Sequence, residues 1–376
     1  MNVVSDKMNI LTPRPNPIVA ALYTLRDLDV DVAVLHGPSG CGFRAARLLE
    51  EDGMKVVTTS MSEEDLIFGA SDKLIEVLNE VDELFSPRTI GVVGSCVSMI
   101  IGENVKKAII DSGLKDKAFF VEIHGCMGAN TRGAIETLKA AMEFGLIGEK
   151  EFQRQEKMLL LATEVESNSG MAKSKYTRPS RGAELKTVAE YVVNLLKDNK
   201  KIAVILNAKK ETAYLFADVP LSINLASKKL GGSIINVGNL STEVGLSRIK
   251  RYAEDIKKEF ESNEISIDFI SGGMDEYPIA GKNAISYLND KDFDLLVAVG
   301  IPQALPVIDK ESIAVTNGPR EVHPLEDAGY KYVTVEIASH STVMGTREIV
   351  LSELGEAIRK AAGIQWNRLL YMGKVE

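Results

Sequence analysis

Short runs of apolar and β-branched residues alternate with helical stretches along almost the whole chain of 376 residues. Parallel strands need a long connection between them, and a helix usually provides it. The alternation therefore predicts an α/β protein with parallel sheets. The strands are expected in three groups, which indicate three Rossmann-like units: 31–36, 55–61, 89–94 and 118–124; then 201–207, 233–238 and 265–271; then 293–299, 311–315 and 331–337.

The chain is long enough for two or three cores of ordinary domain size. We predict a first α/β unit that contains all the cysteines, then a polar linker or pocket loop, then two further α/β units. The predicted boundaries are residues 1–165, 166–182, 183–290 and 291–376.

Composition argues against several classes of protein. The chain has 44 Lys plus Arg against 53 Asp plus Glu, a net charge of −9, and no basic block interleaved with aromatics, so no nucleic-acid partner is expected. No apolar run approaches the roughly 20 residues that cross a bilayer, and the amino end lacks the layout of a signal peptide. We therefore expect a cytoplasmic protein without a membrane partner. Its three cysteines are too few for a disulfide scaffold.

All three cysteines stand where a predicted strand ends: Cys41, Cys96 and Cys126 follow the first, third and fourth strands. Ligands of open parallel sheets collect at this edge. Cys41 and Cys96 are expected at helix N-termini, the second of them before a helix over 97–110, where N–H groups and the helix dipole lower the pKa of a thiol. A metal cluster is the functional hypothesis, and burial as small apolar side chains is the alternative.

A 4Fe-4S cluster usually takes four thiolates, and this chain has three cysteines without a Cys-x-x-Cys spacing. Two-fold symmetry can supply the remainder, because Cys41 and Cys96 from two identical subunits make a set of four. Cys126 is then a possible additional ligand. His36 and Gly40 precede Cys41, and we expect them to support the ligand loop from behind rather than to bind metal.

The same run, from His36 to Gly42, has a competing interpretation as a phosphate loop, because glycines before a helix can bind phosphates through their N–H groups. A Walker motif would continue with Lys and then Ser or Thr. This chain has Phe43 and Arg44 instead. We therefore expect no ATP site on this chain.

Several motifs resemble those of the nitrogenase component 1 family. The run His-Gly-Pro-Ser-Gly-Cys-Gly at 36–42 resembles its cysteine motif, the acidic segment 62–70 resembles its Glu/Asp-rich segment ending in Phe-Gly-Gly, and Gly-Ser-Cys at 94–96 resembles its second cysteine site. Asn-Thr-Arg-Gly at 130–133 lies where members continue into a helix. The similarity covers roughly residues 30–135, and beyond them only the three-unit architecture agrees.

Departures from the family pattern indicate which members of the family this chain resembles most. No cysteine occurs between Thr12 and Leu22, upstream of His-Gly-Pro, so the larger double cluster of nitrogenase is not expected. The chain is also short for a nitrogenase subunit and has no evident ligand set for a molybdenum-iron cofactor. Within the family it is most similar to the nitrogenase-like reductive cyclases of methanogens, which act on a nickel tetrapyrrole in coenzyme F430 biosynthesis; the stretch 14–27 adds to that similarity.

The resemblance implies a homodimer that shares one 4Fe-4S cluster, held by Cys41 and Cys96 of each subunit. It also implies an ATPase reductase partner like the nitrogenase iron protein, which hydrolyses ATP and delivers electrons. The implied substrate is a nickel tetrapyrrole whose ring is reduced and closed into a lactam, so that nickel belongs to the substrate alone. Thiolate ligation in a largely buried site suits a cluster of low potential.

The carboxylates of such a substrate require basic side chains and proton donors. The candidates are Arg178 and Arg181 in the polar loop, His124 after the fourth strand, and His340 after the last strand. Simpler explanations exist, since the arginines can be solvated loop charges and His124 can bond to a backbone carbonyl. The sequence identifies no catalytic residue.

Three other functions remain compatible with these motifs. Another nitrogenase-like tetrapyrrole reductase would pair unlike chains, and an iron-sulfur or cofactor assembly scaffold would bind without turnover. A sugar- or metal-binding protein of similar three-layer build would be free of iron after anaerobic purification. The reductive cyclase is the function that the resemblance favours.

Overall fold

The structure is a computed structural model that describes residues 16–125, 128–168, 177–307, 309–336 and 345–365. Within these residues the strands form two parallel sheets, with helices packed against their faces. The predicted α/β class with parallel sheets is confirmed. None of the helices in the described segments combines the length and the apolar character that crossing a membrane requires.

Four strands build the first sheet: Val32–Leu35 (β1), Lys55–Thr58 (β2), Ile90–Val93 (β3) and Ala118–Val121 (β4). Their order is β2-β1-β3-β4, and each neighbouring pair is parallel. The chain runs outward from β1 to β2 and then returns to the other side of β1 as β3. The boundary between β1 and β3 is therefore the first switch point, where the carboxyl ends of the strands open a crevice for ligands.

Helices cover both faces of this sheet because successive strand residues face opposite sides. The helices described in this half are Pro17–Asp27 (α1), Phe43–Glu51 (α2), Glu63–Phe68 (α3), Ser71–Phe85 (α4), Cys96–Ile100 (α5), Val105–Asp111 (α6), Asn130–Phe144 (α7) and Glu149–Asn168 (α8). Ala33 and Leu35 pack with α1, α2 and α7, whereas Val32 and Val34 pack with α4 and α6.

Six strands build the second sheet: Lys201–Asn207 (β5), Ser233–Gly238 (β6), Phe269–Ile270 (β7), Leu295–Gly300 (β8), Ser312–Thr316 (β9) and Tyr332–Val335 (β10). Their order is β10-β9-β8-β5-β6-β7. The strands expected in the second and third units thus lie in one sheet, since the buried strands β5 and β8 pair directly. The boundary between β5 and β8 is the second switch point.

The helices described in this half are Leu185–Lys197 (α9), Ala213–Phe216 (α10), Asp218–Leu230 (α11), Ser247–Ser262 (α12), Tyr277–Leu288 (α13), Val322–Asp327 (α14) and Glu353–Ala361 (α15). They pack mainly on the two faces of the sheet, with α9, α11, α12 and α15 on one face and α13 on the other. The last helix is shorter than the sequence suggests because Ser352 caps its N-terminus. The two halves meet where α1 packs against α12 and α8 against α13.

Candidate functional site

Cys41 lies in the turn after β1, just before α2 begins at Phe43. Its backbone N–H donates to Pro38 O at 3.0 Å. Gly42 follows with φ 79°, a left-handed conformation that glycine adopts without strain. The thiol is free and half-buried. The chain therefore presents Cys41 from the turn that precedes a helix rather than from the helix itself.

Cys96 is the first residue of α5, at the carboxyl end of β3. Ser95 caps this helix: Ser98 N–H donates to Ser95 Oγ at 3.3 Å, and Ser95 N–H donates to Ser98 Oγ at 2.9 Å. The predicted continuous helix over 97–110 is wrong, because the chain turns between α5 and α6. Gly102, with φ 73°, lies in that turn.

The two cysteine loops touch through Gly37. A Cβ atom at this position would lie 2.5 Å from Ser95 Oγ, so glycine is what lets the loop after β1 approach the loop after β3 so closely. The His36 N–H also donates to Val93 O, at 2.9 Å. Both cysteines thus lie at one sheet edge, on either side of the first switch point.

A third loop, after β4, reaches the same place. The Gly125 N–H donates to Cys96 Sγ at 3.1 Å, a contact of the kind that stabilises an anionic sulfur. His124, one of the predicted pocket residues, is half-buried beside Gly125. Cys126, the possible additional ligand, lies outside the described residues.

Electrostatics couple the two thiols. Burial raises the pKa of the Cys41 thiol above its usual value, and the negative charge of a Cys96 thiolate raises it further. The expected lowering of the Cys41 pKa is therefore wrong, because the turn desolvates the sulfur without placing it on a helix N-terminus. A thiol whose ionisation is disfavoured in this way gains most from a bound metal, whose positive charge replaces the proton.

His36 is fully buried behind the Cys41 turn. Its Nδ1 lies 3.2 Å from Thr59 Oγ1, and its Nε2 lies 4.0 Å from Glu103 Oε2. Burial lowers the pKa of His36 to about 4, so the ring is neutral at pH 7. Gly40 is exposed, and a Cβ atom there would approach no described atom within 4 Å. Of the two, His36 is the residue built into the support of the loop.

Glu103 anchors the acidic segment beside the cysteine loops. Its Oε1 accepts a hydrogen bond from Ala70 N–H at 2.6 Å, and its Oε2 accepts one from Ser71 Oγ at 2.5 Å. At the other end of the segment, Asp65 forms a capping box with Ser62, the residue that caps the N-terminus of α3. Sequence reasoning missed Glu103, because the residue stands in a loop with no motif around it.

Large apolar side chains are exposed around these loops, on α2, α3 and α5. Ile67, Phe68 and Ile100 are 74%, 86% and 82% exposed, which is unusual for side chains of this size on helices that flank the same loops. We call this set the apolar patch, and it consists of Phe43, Leu66, Ile67, Phe68, Met99 and Ile100.

The other predicted pocket residues belong to the second sheet. Arg178 and Arg181 are exposed, and the segment between them is held where Ser180 N–H donates to Pro319 O at 2.8 Å, in the loop after β9. His340 lies outside the described residues, as do residues 169–176 of the polar loop.

The donor set at the first switch point fits an iron-sulfur cluster in kind, since soft thiolates are the ligands that such clusters take. Its number is two. Among the described residues, no group of three or more His, Cys, Asp or Glu side chains is placed to hold a metal ion. Because Cys126 would raise this number only to three, a cluster with four cysteine ligands needs sulfur from a second subunit.

Comparison with known proteins identifies the family. Residues 17–221 match the model of the nitrogenase component 1 type oxidoreductases, a span of more than half of the chain that contains the whole first sheet and both cysteine loops. The chain belongs to this family.

Three relatives match almost its full length, and each is named "Ni-sirohydrochlorin a,c-diamide reductive cyclase complex, component CfbD". The protein of Methanothermobacter thermautotrophicus is 50% identical over 352 residues, which cover 93% of this chain and 98% of the relative. That of Methanosarcina acetivorans is 46% identical and covers 96% and 99%. That of Methanocaldococcus jannaschii is 43% identical and covers 93% and 98%.

These matches confirm the resemblance that the motifs predicted, both to the nitrogenase component 1 family and, within it, to the reductive cyclases. They also confirm the expectation of a nitrogenase-like enzyme. The similarity extends well beyond residues 30–135, where the recognisable motifs lie.

Proposed function

We propose that this chain is the nitrogenase-like component of a complex that reduces and cyclises Ni-sirohydrochlorin a,c-diamide in coenzyme F430 biosynthesis. The observation that carries the proposal is the similarity of almost the entire chain to three proteins named as this component. The meeting of Cys41 and Cys96 at one switch point supports it, because a multi-electron reduction needs a site for an electron carrier.

In this proposal Cys41 and Cys96 of two subunits hold one 4Fe-4S cluster, which when bound supplies single electrons of low potential. The hydrogen bond from Gly125 to the Cys96 sulfur favours the thiolate that ligation requires. The neutral, buried His36 keeps the Cys41 turn in place without adding charge to the site. ATP is hydrolysed by a reductase partner like the nitrogenase iron protein, since the loop after β1 lacks the lysine of a phosphate loop.

The apolar patch supports a homodimer. A subunit with two sulfurs completes a set of four ligands only when a second copy brings the same edge against it, and a two-fold axis repeats each patch residue on both sides. Exposed apolar side chains around the sulfurs then become the centre of the contact, where they exclude water from the cluster.

We expect Ile100→Asp to convert the dimer to monomers and to abolish iron binding, because a charge on α5 would be buried in the contact without a partner. Sedimentation under anaerobic conditions, with iron analysis of each fraction, measures both effects. Leu84→Asp is the matched control: Leu84 is 72% exposed at the far end of α4, and its variant should remain a dimer with full iron. A dimeric Ile100→Asp protein with full iron would contradict the arrangement.

Arg178, Arg181, His124 and His340 remain predicted contacts for the substrate. Their roles follow from the carboxylates of the proposed tetrapyrrole, which call for paired cations and hydrogen-bond donors. The exposed arginines border the carboxyl edge of the second sheet, and His124 borders the cysteine loops. A substrate bound between these places would span both switch points.

The direct test is turnover. The anaerobically purified protein, mixed with the reductase, ATP, a reductant and Ni-sirohydrochlorin a,c-diamide, should change the absorption and mass of the tetrapyrrole, and omission of ATP or of the reductase should prevent the change. Unchanged substrate in the complete mixture would reject the function. Transfer of iron and sulfide to an acceptor protein without any change in the tetrapyrrole would instead indicate an assembly scaffold.

A further inference from the structure

Polar side chains converge at the second switch point, on the loops that follow the central strands. Lys209 follows β5, Gln303 follows β8, and Glu321 follows β9. Parallel sheets bind ligands in the crevice at a switch point, where the connections from two adjacent strands leave in opposite directions. The exposed segment 178–181, which carries the predicted carboxylate-binding arginines, is hydrogen-bonded to the loop that leads to Glu321.

Glu321 is buried in this cluster, with 4% of its surface exposed. Thr316 Oγ1 donates a hydrogen bond to its Oε2, and Gln303 Nε2 donates to its Oε1 at 2.9 Å. A Cβ atom at Gly318 would lie 2.4 Å from Glu321 Cδ, so the turn is shaped around the carboxyl group. Both hydrogen-bond donors are uncharged, unlike those of the buried ion pairs elsewhere in the molecule.

Charged side chains on two neighbouring elements affect the pKa of Glu321. Burial is the largest cause, and it raises the pKa of Glu321. Glu166 of α8 raises this pKa further and Lys209 lowers it, and the net result is a pKa of about 7. Lys209 is itself paired with Glu166 and lies 5.0 Å above the ring of Tyr277 on α13. At neutral pH the Glu321 carboxyl is therefore divided between its protonated and ionised forms.

Two buried acceptors at the same edge indicate that the crevice is built for a polar occupant. Asn207, the last residue of β5, is fully buried and donates its Nδ2 to Tyr277 O at 3.1 Å, yet its Oδ1 has no partner among the described residues. Gln303 Oε1 is likewise without a donor in the described part of the chain. Buried acceptors of this kind are normally satisfied by water or by a ligand.

We propose that Glu321 donates a proton to the tetrapyrrole bound at the second switch point. This inference rests on the proposed function, in which the reductase partner supplies the electrons. Two-electron reduction of one C=C bond forms two C–H bonds and consumes two protons. The Glu321 O–H bond breaks to provide one proton, and solvent water provides the other. The carboxylate that remains is stabilised by Thr316, Gln303 and Lys209 and takes a new proton from water.

Infrared difference spectroscopy of the holoprotein tests the proton store without substrate. The spectrum of the wild type minus that of Glu321→Gln should contain a protonated-carboxyl band at pH 6. This band should disappear as the pH rises, with a midpoint near pH 7. Thr316→Val removes a donor that stabilises the carboxylate, so it should move that midpoint to higher pH. Absence of the band at pH 6, or an unchanged midpoint in Thr316→Val, would overturn the inference.

Turnover of Ni-sirohydrochlorin a,c-diamide by the complete complex tests delivery of the proton. The wild-type rate should decline above pH 7. Glu321→Gln should lower the rate by about a hundredfold with unchanged iron content and should lose that decline, since a positioned acid contributes at least that much. Glu326→Gln, on the exposed side of α14, is the matched control and should behave as wild type. A wild-type rate and pH profile in Glu321→Gln overturns the inference alone, whereas no turnover by wild type overturns the proposed function as well.

Discussion

Cys41→Ala and Cys96→Ala are each expected to abolish iron binding, whereas Cys126→Ala is expected to retain it. Each of the first two substitutions removes one sulfur from both subunits of the proposed dimer, which leaves two thiolates for a cluster that takes four. The measurement is iron, sulfide and native mass on anaerobically purified protein, with the wild type and Cys126→Ala prepared in parallel.

The structure sharpens this expectation for Cys96. Its sulfur accepts a hydrogen bond from Gly125, so replacement by alanine removes both a ligand and a contact between the loops after β3 and β4. Circular dichroism separates loss of the cluster from loss of the fold, because the sheet behind the loops is buried on both faces. Full iron in Cys41→Ala would refute the paired-cysteine site. Loss of iron from Cys126→Ala would make Cys126 a ligand and reject the set drawn from only two cysteines per subunit.

The central strands of the sheets were predictable from sequence, because they are short continuous runs of apolar residues. Apolar runs such as Val32–Leu35 and Ile90–Val93 are buried on both sides, and this is the pattern that a central parallel strand requires. The placement of cysteines after β1 and β3 was predictable for the same reason. What the pattern could not specify is strand order, which depends on contacts between distant residues. The direct pairing of β5 with β8 therefore joined strands that the sequence assigned to separate units.

Local chemistry explains the remaining differences. The raised pKa of Cys41 depends on desolvation and on the Cys96 charge, and neither is visible before the two loops are brought together by Gly37 and Ser95. The burial of Glu321 was equally unpredictable from the sequence. A single glutamate after a predicted strand resembles any solvated loop residue until the structure buries it between Thr316 and Gln303.

A buried charge cluster joins the two halves of the molecule. Arg26 and Asp27, at the end of α1, are 2% and 0% exposed, and Arg26 donates to Asp27 Oδ1 through two nitrogens at 3.0 and 2.7 Å. Lys210, which follows β5 in the other half, is paired with the second oxygen of Asp27. Burial alone would raise the pKa of Asp27, but Arg26 and Lys210 hold it below its usual value.

Asp27→Asn is expected to destabilise the protein by about 3–5 kcal/mol, because it removes the buried carboxylate that the buried Arg26 and the largely buried Lys210 share. Chemical denaturation followed by circular dichroism measures this as a lower midpoint. Asp290→Asn, on an exposed residue after α13, is the matched control and should stay within about 0.5 kcal/mol of wild type. Adding Lys210→Met to Asp27→Asn should recover part of the loss, since it removes a cation that has lost its nearest carboxylate.

The pH dependence of stability follows from the same pair. Since the pKa of Asp27 is lower in the folded protein than in the unfolded chain, its contribution is complete above the unfolded value of roughly 3.9 and disappears as pH falls through the folded value. Wild type should therefore lose its advantage over Asp27→Asn only in strong acid, and the difference between them should be constant from pH 6 to 8. Equal midpoints for wild type and Asp27→Asn at pH 7 would show that this cluster does not hold the two halves together.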